Sequence, residues 1–167
     1  MRTKYRSAKQ AGFTLVELLI VVIILGILAA IVLPQFASTT DDAKTAALDT
    51  DLSGLRSAIE LYYQQHGAYP SAATDGTGAN TPAAFTSQLT KYSSAAGLVS
   101  NTKDTTFKFG PYLKKGIPTE PISGSATVEI VTAGTLGMTA TGAATGGWKF
   151  DNKTGQLIAN MTDHQGR

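Results

Sequence analysis

Phe13-Thr-Leu-Val-Glu-Leu-Leu-Ile-Val-Val-Ile-Ile-Leu-Gly-Ile-Leu-Ala-Ala-Ile-Val-Leu33 decides the architecture of this 167-residue chain. From Leu18 to Leu33 it carries no charged or polar side chain, and with Phe13–Val16 it reaches the roughly 20 residues that span a bilayer as a helix. Glu17 is the anomaly. An ionised carboxylate in such a segment costs about 2.5–3.5 kcal/mol on insertion scales and is usually kept for a specific partner. The residues before the run, Met1 to Gly12, include Arg2, Lys4, Arg6 and Lys9 and no acid. This basic flank predicts a cytoplasmic amino end by the positive-inside rule. A secretory signal would place a small-residue cleavage site after the apolar run, where only Gln35-Phe-Ala-Ser38 stands. The candidate processing point lies before the run, at Gly12-Phe13.

At these residues Ala11-Gly12-Phe13-Thr14-Leu15-Val16-Glu17-Leu18 resembles the prepilin cleavage and methylation motif of the type IV pilin superfamily. The resemblance implies that a membrane prepilin peptidase cuts after Gly12 and methylates the new amino group of Phe13. Glycine suits the task, because a residue without Cβ lets a protease approach the extended backbone closely. The resemblance also implies that Glu17 pairs with the Phe13 amine of a neighbouring subunit during assembly. It further implies an inner-membrane assembly platform and an assembly ATPase as partners, with lipid around the helix before polymerisation. The expected organisation is a leader over 1–12, a transmembrane and assembly helix over 13–34, and an exported α+β domain over 35–167.

Composition fits a small exported subunit. Hydrophobic residues make up 43% and charged residues 16%, which excludes a disordered chain. Without the leader, ten basic face twelve acidic side chains, so bulk charge gives no case for nucleic-acid binding. There is no cysteine, and hence none of the C-terminal disulfide that closes a loop in many type IVa pilins.

Beyond the apolar run, Pro34 lacks an N–H and predicts a helix kink. Leu48, Leu52, Leu55, Ile59 and Tyr62 then recur at helical spacing, which predicts an amphipathic helix facing a core. Gly67 is its stop signal. An unbroken helix from about Phe13 to Gln65 would be roughly 80 Å long; the alternative is a break at Ser38-Thr-Thr-Asp41, where N-cap residues cluster. A short helix is expected between Pro82 and Ala95. Strands are expected at Thr105–Phe109, Ala126–Thr132, Thr135–Ala140, Gly147–Asp151 and Gln156–Ala159, with a hairpin turn at Asp151-Asn-Lys-Thr-Gly155. The fold class is α+β, one long helix packed on a small antiparallel sheet.

Chemistry is sparse. His66 and His164 show no ligand spacing and read as solvated, no cysteine completes a zinc site, and no glycine-rich phosphate loop follows a strand. The resemblance to secretion pseudopilins implies a calcium site, for which Asp75, Asp104 and Asp151 are the candidate ligands, although no ordered run of oxygen ligands supports them. Neither a cofactor nor a catalytic residue is expected. Trp148, Phe150, Phe107, Phe109 and Tyr112 read as sheet and core residues. The expectation is a structural, non-enzymatic subunit that polymerises with itself, as an extracellular pilus or as a type II secretion pseudopilus. A monomeric signal-anchored binding module is the remaining class. The helix exit His66-Gly-Ala-Tyr-Pro70 is similar to that of major pseudopilins; the long Gly/Thr/Ala-rich insertion after Pro70 is not.

Overall fold

The computed structural model describes residues 12–141 and 147–162, and no side chain between 33 and 38. The chain forms two compact units, one ending at Asp42 and the other starting at Ala43. Helix α1, Leu15–His66, contributes to both and is helical throughout. The break at Ser38-Asp41 does not occur. An N-cap needs chain arriving in an extended conformation, whereas Thr39, Thr40 and Asp41 follow residues that are already helical and leave their side chains exposed. The kink expected at Pro34 lies among the side chains that are not described.

In the second unit the stripe of α1 forms the core. Leu48, Leu52, Leu55, Ile59 and Tyr62 are each at most 1% exposed and pack with Phe85, Leu89, Val128, Trp148, Phe150, Leu157 and Ala159. Gly67 ends the helix with φ +69° and donates its N–H to the Tyr63 carbonyl at 2.8 Å. Helix α2, Pro82–Thr90, starts from Thr81, whose hydroxyl accepts the Ala84 N–H at 3.1 Å, with Pro82 in the first turn. It stops short of Ala95 because Lys91 turns to extended backbone and leads into a small hairpin. There β1, Tyr92–Ser93, pairs antiparallel with β2, Val99–Ser100.

Strands β3 (Val128–Val131), β4 (Trp148–Asp151) and β5 (Leu157–Ala159) form a second sheet in that order. The sheet is mixed, not purely antiparallel: β4 and β5 pair antiparallel, but β3 runs parallel to β4 with Val128 opposite Trp148. A parallel neighbour requires a long connection, and β3 and β4 stand far enough apart in sequence to allow one. At the β4–β5 turn the Asp151 carboxylate accepts the N–H of Lys153 at 2.8 Å, and Gly155 takes φ +75°. A Cβ at Gly155 would come within 2.3 Å of the Tyr69 ring, so this turn is packed against the helix exit.

Two expected strands are absent. Asp104 accepts the N–H groups of Thr106 at 2.7 Å and Phe107 at 2.8 Å, folding 104–107 into a turn and leaving Phe109 with a single bridge to Ser93. The 135–140 segment lies instead in a strap whose backbone groups are met by side chains. Asp151 accepts the Gly134 N–H, Gln156 that of Met138 and Asn160 that of Thr141, while Lys149 donates to the Thr139 carbonyl. Ile158 alternates with the core residues Leu157 and Ala159 yet is only 2% exposed, so both faces of β5 are covered.

Candidate functional site: the amino end of the first helix

The first turn of α1 is closed by two reciprocal bonds. Glu17 donates its N–H to the Thr14 hydroxyl at 3.2 Å, and the Thr14 N–H donates to the Glu17 carboxylate at 3.4 Å. This is a capping box, with Thr14 at the N-cap and Glu17 three residues on. The carboxylate also lies at the positive end of the helix dipole. Glu17 is thus held one peptide unit from Phe13. Its pairing within the chain is to an amide, which leaves it able to take a full positive charge from elsewhere. Thr14 joins Glu17 as a site residue, and Thr14-Leu-Val-Glu17 before an apolar run is the sequence signature of such a box.

Phe13 is 82% exposed, and a Cβ built on Gly12 would meet nothing within 4 Å. Among the described residues, packing makes no demand for glycine at this position. From Leu15 to Val32 the helix is long and apolar enough to cross a membrane, with none of it buried within the molecule. Gly26 sits in the middle of this span with open space around it. Glycine costs about 1 kcal/mol in a helix interior, and no neighbour among the described residues explains it.

Elsewhere the polar groups serve the fold. Among the described residues no group of three or more His, Cys, Asp or Glu is arranged to hold a metal. The Asp75, Asp104 and Asp151 carboxylates each accept N–H groups of their own loop. Burial pushes the Asp75 carboxyl up, but hydrogen bonds from the Ser87 and Thr77 hydroxyls and from the N–H groups of Thr77 and Gly78 outweigh it and hold the pKa at about 2. His66 is not solvated: it is half-buried, stacked on Tyr62 at 3.9 Å, with Nδ1 2.9 Å from the Tyr62 carbonyl and Nε2 3.0 Å from the Ser93 hydroxyl. The carbonyl contact requires the proton on Nδ1. His164 lies outside the described residues. Trp148 and Phe150 are fully buried, and Tyr112 packs on the core, as expected of them. Gln88 is fully buried in α2, and its side-chain amide binds the Ser71 N–H and the Ala73 and Gly97 carbonyls.

Residues 7–33 match the family model described as the prokaryotic N-terminal methylation motif. The type II secretion system core protein G of Pseudomonas aeruginosa is 46% identical over 63 residues, 38% of this chain and 44% of that protein. The protein of the same name from Vibrio cholerae is 28% identical over 159 residues, 88% of this chain and 97% of that protein. The type IV major pilin protein PilE1 of Neisseria gonorrhoeae is 41% identical over 73 residues, 44% of each chain. No solved structure matches. The methylation motif leads an exposed apolar helix that continues into an α+β domain, and the chain is similar to both pilins and secretion core proteins; these likenesses support the type IV pilin superfamily.

Proposed function

We propose that this chain is a structural subunit of a type IV pilus-like filament. Prepilin peptidase cuts between Gly12 and Phe13 and methylates the Phe13 amine. The helix over 13–34 then anchors the subunit in the inner membrane with its domain on the periplasmic side, until the assembly platform and its ATPase add it to the growing polymer. The observation that carries this reading is the capping box, which aims the Glu17 carboxylate at the amino end where cleavage would create a cation.

Moving the helix from lipid into a bundle of identical helices exchanges one apolar surrounding for another, so packing and polar pairing must supply the preference. Glu17 and the Phe13 amine of the adjacent copy are each costly in hydrocarbon and less costly together. A bend at Pro34 would let each domain meet its neighbours while the helices stay bundled. A second reading, the major-type pseudopilin of a type II secretion system, draws on one observation. The core protein G of Vibrio cholerae aligns over 97% of its length, whereas the pilin alignment covers 44%.

Intact-mass analysis of the protein from its native host tests the processing, with a mature chain beginning at N-methyl-Phe13 as the expected result. An unprocessed Met1 removes the reading. Glu17→Leu, and Glu17→Gln as a charge-free isostere, should leave processed subunits in the membrane without filaments. Wild-type filament yield from both refutes the pairing role.

A further inference from the structure

The turn at Lys114-Lys115 is an exposed cationic feature beside α1, tied down by hydrogen bonds on its amino-terminal side. The N–H groups of Tyr112 and Leu113 both donate to the Leu89 carbonyl at 2.9 Å, the Tyr112 hydroxyl donates to Gln65 at 2.7 Å, and Gly116 closes the turn with φ +87°. Between the turn and the Thr50–Leu55 stretch of α1 lies an open groove of about 380 Å³. Both lysines are exposed, and the one ion pair among the described residues is Lys149 with Glu129. Asp51 lines the same groove, where burial pushes its carboxyl up, and it forms no ion pair with either lysine. The opposite charge stands elsewhere on the chain. Asp41 and Asp42, nine residues past the membrane-spanning window, are exposed on α1 and take part in no such pair.

Resting on the filament reading, we infer that the Lys114-Lys115 turn of one subunit receives the Asp41-Asp42 pair of a neighbouring copy. The occupant follows from the charges. Like faces of two copies brought together would repel, whereas a head-to-tail contact sets the acids of one copy against the bases of the next and repeats without closing, as a filament requires. Exposed pairs are individually weak, so the contact sets register between subunits while the apolar helices hold them together.

The chain has no cysteine, so paired thiols can be placed cleanly. The full-length Asp42→Cys/Lys114→Cys variant, assembled in its native host and treated with a short bismaleimide, should give a ladder of covalent dimers, trimers and higher multimers, with no ladder from either single variant. Filaments visible by electron microscopy that yield only monomer, or adducts whose masses are not multiples of the subunit, overturn the contact. Lys114→Glu/Lys115→Glu should lower filament yield about tenfold at unchanged subunit abundance, the effect of two exposed pairs lost together. Wild-type yield from that variant also overturns it. A wild-type chain that forms no filament removes the underlying reading, and the contact with it.

Discussion

Leu25 and Leu55 sit on the same helix with the same side chain, one 57% exposed and the other 1%. Around Leu25 every face of the helix is apolar and none is covered by the chain. Around Leu55 a single stripe is apolar and meets α2 and the sheet. The difference teaches where each half finds its partner. An all-round apolar helix needs a surrounding that the chain does not supply, either lipid or further copies of the same helix. A striped one carries the address of its own domain.

The comparison is broken most severely by removing one half. A fragment beginning at Thr39 should lose membrane association entirely and still unfold cooperatively as a soluble monomer, checked by sedimentation and thermal melting; an aggregated fragment would tie the two halves together. Within the folded domain, Leu55→Ala should lose about 2–5 kcal/mol through the cavity it leaves. Leu25→Ala in the full chain should leave the domain's melting unchanged, although the chemistry of the substitution is identical.

A smaller effect lies in the part of the domain that owes least to apolar burial. The folded Asp75 pKa of about 2 lies below its ordinary 3.8, so its stabilisation is present above that ordinary value and is lost as pH falls toward 2. The amount is about 2 kcal/mol. Denaturant titrations from pH 5 to pH 2 should show this loss in the wild type and not in Asp75→Asn. The smallest change is at the start of α2. Thr81→Ala removes the acceptor for the Ala84 N–H and should cost about 1 kcal/mol, read as a lower denaturation midpoint at an unchanged slope.

What could be read directly from the residues was whatever is periodic or punctuated. The stripe from Leu48 to Tyr62, the stop at Gly67, the Asp151–Gly155 turn and strands β3 to β5 all declare themselves through spacing or turn chemistry. Thr105–Phe109 and Thr135–Ala140 have the composition of strands, but Asp104 captures the amides of one, and side chains from β4 and the β5 region hold the other. The Asp104 turn is a local pairing that strand composition masks, whereas the distant pairings that hold 134–141 have no local signature. The same holds for His66, whose surroundings come from Ser93 and Phe109, far along the chain. At the amino end of α1 the motif is plain in the residues, while Thr14's part in orienting Glu17 emerges only from the two bonds of the first turn.

Gln88 grips the 71–97 region entirely by backbone atoms: the N–H of Ser71 and the carbonyls of Ala73 and Gly97. Those groups are present whatever side chains the gripped residues carry. The path of that surface segment is thereby separated from much of its spelling. Substitutions at Ala73 can accumulate without erasing the bond its carbonyl makes, whereas the shape hinges on one amide buried inside the helix. A subunit organised in this way can change the face it shows to the outside world while the frame behind that face stays fixed.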